Sequence, residues 1–247
     1  MTREALIEDD KSIRLGRPSQ AWAFGQVRRL DLIDRYAPLA GRRVLDAGCG
    51  VGMYLRHFAQ LSPWVDGVDI DPEKVAEAKR HVARVQVASA EALPFGDASF
   101  DVVLSHEVLE HVGDDRRALH EALRVLVPGG RLVLFVPNRL YPFETHGCYW
   151  RRRYHFGNIP LVGWLPNRWR SRLCPHVRAY TVRSLRRLWA SESVRVITHT
   201  QIYPGYDKLV LRRPRVGAVL RAITYALEHT SLRLFGLSHL VVLEKIG

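Results

Sequence analysis

Apolar residues fall in short dense runs separated by polar, turn-forming stretches, and between the runs they recur at helical spacing. RRVLDAG (42–48), VDGVDI (65–70), VQVAS (85–89), FDVVLSH (100–106) and RLVLFVP (131–137) are brief and dense in Val and Leu, which predicts buried strands. VGMYLRHFAQL (51–61), EKVAEAKRHVARV (73–85) and DRRALHEALRVL (115–126) are predicted helices. Asp71-Pro72 supplies an N-cap and a first-turn proline for the second, and Pro128-Gly129-Gly130 stops the third. Later, Thr181 caps a helix VRSLRRLWA, and VRVITHT (194–200) and SHLVVLEK (238–245) are two more strands. Between those strands Val216, Val219, Leu220, Ile223 and Leu227 mark an amphipathic helix with Arg215 and Arg221 beside its apolar stripe.

Strands alternating with helices predict an α/β fold: a Rossmann-like, doubly wound, mostly parallel sheet covered on both faces. Ligands of such sheets bind beyond the carboxyl ends of the strands, so functional residues should stand just after strands. The 247 residues suit one domain. It divides into an N-terminal helical segment (1–40), a ligand-binding core (41–138), a cap (139–180) and C-terminal strands with a helical insertion (181–247). The cap is punctuated by Pro142, Gly147, Gly157, Pro160, Gly163, Pro166 and Pro175, too often for a long helix or strand.

Charge sharpens that division. The net charge of +12 comes wholly from the later part: residues 139–247 hold 19 Lys+Arg against 5 Asp+Glu, whereas residues 1–138 hold 18 against 20. No 18-residue apolar run and no basic-then-apolar leader is present, so a cytoplasmic protein is expected. Cys49, Cys148 and Cys174, odd in number and widely spread, are expected to be reduced thiols.

The strongest chemical signal is Asp46-Ala47-Gly48-Cys49-Gly50-Val51-Gly52, directly after the first strand and opening the first helix. Alternate glycines allow unusual backbone angles and let the main chain approach a ligand with no Cβ in the way. An acid, Asp69, ends the next strand, where a carboxylate can accept both hydroxyl protons of a ribose.

VLDAGCGVG, GVDIDPE, SAEALPFGDASFDVVLSHEVLEHV and LVPGGRLVLFVPN, in that order over residues 40–138, resemble the class I S-adenosyl-L-methionine-dependent methyltransferases, near the small-molecule type 11 group. The resemblance implies seven strands, the last antiparallel, with a basic substrate cap inserted after strand five. It implies that Gly48, Gly50 and Gly52 lie under the cofactor S-adenosyl-L-methionine, that Asp46 orders the turn, that Asp69 grips the ribose and that Ile70 lies beside the adenine. Ser89 stands where the group often has an Asp for the adenine amino group, with backbone groups of Ala90 and Glu91 sharing that contact. Ser105 and His106 fall along the methionine end. His111 corresponds to a packed structural histidine.

No metal ligand set is assigned. A zinc-peptidase motif would need His at both 106 and 110, and position 110 is Glu. His146-x-Cys148 and Cys174-x-His176 contain zinc-binding residue types, but their spacing matches no metal knuckle. Enzymes methylating exocyclic base amines usually carry an Asn- or Asp-Pro-Pro-aromatic run after the fourth strand, and this chain has none.

On the acceptor side, Glu144 and His146 in PFETHG are the candidate catalytic residues, with His146 as general base to a hydroxyl. CYWRRRYHFG (148–157) places Arg151–Arg153 between Tyr149, Trp150, Tyr154 and Phe156, a pattern for walling an apolar acceptor and pairing an anionic group. Trp164, Trp169, Arg168, Arg170 and Arg172 extend it toward peripheral contact with an anionic membrane. The expected activity is methyl transfer to a small-molecule or lipid-linked acceptor, at oxygen. RNA methylation and a non-catalytic cofactor-binding regulator are the competing expectations, with nucleic acid disfavoured.

Overall fold

The structure, a computed structural model, describes residues 22–151 and 153–247. The N-terminal segment expected over 1–40 is thus seen only from Trp22, and Arg152 lies outside the described residues. Helices are α1 (Phe24–Tyr36), α2 (Met53–Leu61), α3 (Pro72–Ala78), α4 (Asp115–Arg124), α5 (Asn167–Leu173), α6 (Val182–Arg186), α7 (Asp207–Arg212) and α8 (Pro214–Leu227). The main sheet comprises β1 (Val44–Ala47), β2 (Val65–Asp69), β3 (Val85–Val87), β4 (Phe100–His106), β5 (Leu126–Pro137), β10 (Val194–Ile202) and β11 (Ser238–Lys245). Their order is β10-β11-β5-β4-β1-β2-β3, with β11 antiparallel to both neighbours. The expected seven-stranded α/β fold is therefore present.

Strand alternation builds the two faces. Leu132, Leu134 and Val136 join Leu119, Leu123, Leu185 and Trp189 on the α4 and α6 side. Val133 and Phe135 join Ile33, Leu55, Phe58 and Val75 on the α1, α2 and α3 side. The chain runs outward from β1 to β3 and then returns to place β4 on the other side of β1. The crevice where strand order reverses thus lies at the carboxyl ends of β1 and β4.

Element boundaries depart from the sequence pattern in four places. The helix expected over 73–85 stops at Ala78, because Val85 is extended to pair with Gly67 of β2. Val125 and Leu126 leave the helix expected over 115–126, since the Val125 carbonyl accepts from the Ser99 and Phe100 amides. β5 consequently begins before Pro128-Gly129-Gly130, which forms an irregularity within it. The helix after Thr181 is a single short piece, α6, although its capping box with Ser184 is complete. Finally, α8 seats Gly217 and Thr224 inward, while Val216, Val219 and Ile223 are exposed among the described residues. The close approach of Val210 to Gly217 selects that face, since a Cβ there would meet the Val210 Cα at 2.7 Å.

The cap contains two short β-pairs, β6 (Phe143–Glu144) with β9 (Ile159–Pro160) and β7 (Cys148–Trp150) with β8 (Arg153–His155). The two described arms of CYWRRRYHFG, Cys148–Trp150 and Arg153–His155, are therefore paired antiparallel, and Arg151 has φ +48°. All three cysteines are buried free thiols.

One buried pair on the sheet makes stability depend on pH. His239 is 1% exposed; its Nε2 donates to the Tyr180 carbonyl at 2.9 Å, and its Nδ1 faces His199 Nε2 at 3.3 Å. Burial pushes both imidazoles down to about 4, aided for His199 by the charge of His239. The unfolded chain, with His near 6.5, binds more protons than the native one between those values. Stability is therefore fully present above pH 6.5 and is lost as pH falls through 4, by about 3 kcal/mol for each imidazole. Urea unfolding at pH 7 and pH 5 checks this, and the His199→Gln/His239→Gln double variant should show a flatter pH slope.

Candidate functional site

The site begins at the glycine turn after β1. Gly48, Gly50 and Gly52 all have positive φ, +98°, +54° and +83°. A Cβ on Gly48 would stand 2.2 Å from Val108 Cγ2 and one on Gly52 3.0 Å from the Ala78 Cβ, whereas one on Gly50 would meet nothing within 4 Å. Gly48 and Gly52 thus let the turn pack on its own protein, and Gly50 faces open space. These two roles separate by mutation. Gly48→Ala should lower stability by about 1–3 kcal/mol through overpacking and strain. Gly50→Ala should lose only about 1 kcal/mol but weaken cofactor binding more than it lowers Tm. Thermal melts and calorimetry with S-adenosylhomocysteine on both variants distinguish the outcomes.

Asp69 is 9% exposed at the end of β2. Its Oδ2 accepts from the Gly50 amide and its Oδ1 from the Asp71 amide, both at 2.9 Å. Each carboxylate oxygen keeps a second acceptor direction, the complement a vicinal diol requires. Ile70, next in the chain, is 73% exposed, an apolar surface of the kind an aromatic base covers. Asp46 is buried behind the turn with no side-chain hydrogen bond among the described residues. Burial, then the charge of Asp69, raise its carboxyl to about 8. An open glycine cradle, a diol-accepting acid, an exposed apolar neighbour and an unpaired acid fit S-adenosyl-L-methionine.

Ser89 Oγ accepts from the Glu91 amide at 3.1 Å, and Glu91 Oε1 accepts from the Asp114 amide at 2.7 Å. Ser89, Ala90 and Glu91 thus form a braced turn between β3 and α4. Ser105 is buried on β4. His106 Nε2 lies 2.6 Å from Arg29 Nη1, and its ring packs between Tyr54 and Phe135. Burial, with the Arg29 charge, holds His106 down at about 3.

After β4 the backbone enters the left-handed region at Glu107, φ +56°, a strained state for a non-glycine residue. Arg29 holds the Glu107 carboxylate at 3.6 Å, and Ser238 Oγ donates to it at 3.2 Å. The following turn is tied to the cap: Glu110 O accepts from the Arg178 amide, and Tyr180 OH donates to Leu109 O. From the cap, His146 brings Nε2 to 3.8 Å from Glu107 Oε2. His146 Nδ1 lies 3.3 Å from Glu144 Oε1, which also accepts from the His146 amide. Arg170 Nη2 donates to the other Glu144 oxygen at 2.9 Å. Glu144 is buried, yet hydrogen bonds from His146 and the charge of Arg170 outweigh that burial and hold it at about 2. It therefore stands behind His146 and acts on that ring. The Glu144 bond and the two carboxylates outweigh burial at His146 and raise its imidazole.

The expectation for His111 is corrected. It is exposed rather than packed, and its ring meets that of His146 edge-on at 5.5 Å. Cys148 and Cys174 are buried in the small core of the cap, and His176 Nε2 is taken up by the His146 carbonyl at 3.2 Å. These three residues do not form a ligand cluster with His146; among the described residues, Glu110 and His111 do. Tyr149, Trp150, Tyr154 and Phe156 are exposed in CYWRRRYHFG. A cavity of about 640 Å³, lined by Arg28, Arg35, His199, His229 and Arg233 among others, shares no residue with the glycine turn.

Sequence reading missed Arg29, Glu107 and Glu110, and it placed Arg170 on a basic face toward a membrane, whereas that guanidinium is buried against Glu144. Only the two glutamates left a local signal, in SHEVLEHV directly after a strand.

A methyltransferase-domain family matches residues 45–134. A probable S-adenosylmethionine-dependent methyltransferase of Mycolicibacterium smegmatis is 40% identical over 103 residues, 41% of this chain and 40% of the relative. A ubiquinone biosynthesis O-methyltransferase of Xanthomonas oryzae pv. oryzae is 41% identical over 118 residues, 45% of this chain and 49% of the relative. The matched stretches thus span about half or less of these curated relatives. Among solved structures, an S-adenosylmethionine-dependent methyltransferase from Mesorhizobium loti superposes with a TM-score of 0.61 at 19% identity, covering 87% of this chain and 96% of that one.

Proposed function

Residues 45–134 form a methyltransferase domain of the class I, S-adenosyl-L-methionine-dependent kind, and from that premise we propose that this protein methylates a hydroxyl of a small-molecule or lipid-linked acceptor. The single observation that carries the reading is the convergence of Glu107 and His146, 3.8 Å apart, beside the β1–β4 crevice. When bound, the cofactor supplies a methyl group on a sulfonium sulfur, an electrophile that needs alignment more than activation. Asp69, Ile70 and the Gly50 cradle hold and orient it. Arg29 and Ser238 fix Glu107 at the strand end, and Glu144 with Arg170 fixes the His146 ring. The hydroxyl proton is received by this Glu107–His146 pair.

The ubiquinone O-methyltransferase relatives support oxygen as the methylated atom and an isoprenoid type of acceptor. Exposed Trp150, Trp164 and Trp169, with the basic charge of residues 139–247, support access to amphipathic acceptors at an anionic membrane surface. No helix among the described residues is long and apolar enough to cross a membrane. The test offers labelled S-adenosyl-L-methionine with lipid, aqueous-metabolite and RNA fractions. Label in base-stable ether products of the lipid or metabolite fraction is expected. Label confined to RNA, or no turnover by protein that binds S-adenosylhomocysteine, overturns the reading in favour of RNA methylation or a non-catalytic regulator.

A further inference from the structure

Glu110, His111 and His146 each turn one ligand atom toward a common point, all within 4.8 Å of one another. Two come from the turn that closes β4 and the third from the cap. Glu110 is 1% exposed, and neither of its carboxyl oxygens has a hydrogen-bond partner among the described residues. A buried acid left in that state costs the full desolvation of the group, so it calls for a ligand or a proton.

The surroundings are built for the same purpose. A carboxylate only accepts, so the Glu144 contact places the proton of the neutral His146 ring on Nδ1 and leaves the Nε2 lone pair directed inward. Arg170 locks that Glu144 from behind. Such a carboxylate behind an imidazole is the arrangement that orients metal-ligating histidines. The His146 main chain is pinned as well, its carbonyl accepting from both Tyr154 OH and His176 Nε2. His111, being exposed, provides an entry side and the rotational freedom to close on an ion.

We propose that Glu110, His111 and His146 bind one divalent cation of the Zn²⁺, Co²⁺ and Mn²⁺ class. Two imidazoles beside one carboxylate favour these ions over Mg²⁺ and Ca²⁺, which prefer oxygen shells. Three protein ligands leave a position for an outside oxygen. Use of that position by the acceptor hydroxyl rests on the methyl-transfer reading; binding of the ion does not. In that use the ion acidifies the hydroxyl, the O–H bond breaks with its electron pair remaining on oxygen, and the proton passes to Glu107. His146 then serves as a ligand, and nothing is oxidised or reduced.

The experiment takes the full chain, strips it with chelator and titrates it with Zn²⁺, Co²⁺ and Mn²⁺ by calorimetry, following Co²⁺ by visible absorption. One ion per chain at micromolar affinity or tighter is expected, with no cobalt–thiolate band. His111→Ala, at an exposed position, and the isosteric Glu110→Gln should each weaken binding at least about tenfold. Cys148→Ser/Cys174→Ser should not. Folded wild-type protein that binds none of the three ions overturns the proposal, as does unchanged binding by His111→Ala and Glu110→Gln. Loss of binding in the cysteine variant overturns it too, by moving the site to the thiols. S-adenosylhomocysteine affinity measured on the same sample separates the two readings: metal binding without it upholds this site and overturns methyl transfer, whereas the reverse overturns this site alone.

Discussion

Asp69→Ala should reduce affinity for S-adenosylhomocysteine at least about 100-fold, corresponding to roughly 3 kcal/mol. Two effects combine. The ribose loses a charged acceptor, and hydrogen bonds to charged groups are worth about 1.5–3 kcal/mol each. The Gly50 and Asp71 amides also lose their acceptor, so the glycine turn and the start of α3 are no longer tied through one side chain. Asp69→Asn separates the two effects, because it keeps the shape and one oxygen but turns an NH₂ group toward one of the two amides. Its affinity should fall between wild type and Ala. Calorimetry on protein verified as folded by circular dichroism is the measurement; unchanged affinity in both variants would remove the assignment of Asp69 to the ribose.

The largest stability effect is expected at Arg170. Its guanidinium and the Glu144 carboxylate are both buried, 2.9 Å apart, with Arg170 Nη1 also donating to the Val177 carbonyl at 3.0 Å. Removing one partner of such a pair leaves an uncompensated charge out of water, at a cost of about 3–5 kcal/mol. Arg170→Met should therefore lower Tm by roughly 10 °C. Making Glu144 neutral as well, in Glu144→Gln/Arg170→Met, should recover part of that loss, because no charge is then stranded. The cap would suffer first. α5 carries Arg170, β6 carries Glu144, and the pair joins them across 26 residues of chain. A double variant as unstable as the single would show that packing of the Arg170 stem, rather than charge, is what matters.

Much of the architecture was legible because it is written in contiguous residues. Apolar runs such as RLVLFVP and FDVVLSH are short, continuous and rich in Val and Leu, as strands buried on both faces require, and Asp71-Pro72 and Thr181 start helices where the local backbone demands a cap. The glycine turn and Asp69 were equally plain, since both stand just after strands. Errors gathered where a nearby partner outbid local propensity. Residues 79–85 carry helical spacing, but Val85 gains more as the partner of Gly67. The apolar stripe of the amphipathic helix α8 is left exposed at Val216, Val219 and Ile223, because a glycine and a threonine lie inward.

The acceptor side shows the limit more sharply. His146 could be nominated from PFETHG alone, because its position after a strand and its residue type are local facts. Nothing local joins it to Glu110 and His111, or brings Arg29 to His106 from 77 residues away. By itself the sequence determined the layered sheet, the glycine cradle and the acid that ends β2, because backbone periodicity and turn chemistry act between neighbours in the chain. Only the tertiary structure decided which carboxylates meet which imidazoles and which arginine stands behind them. Those contacts follow from how the cap docks on the ends of β1 and β4, a packing outcome summed over many distant residues.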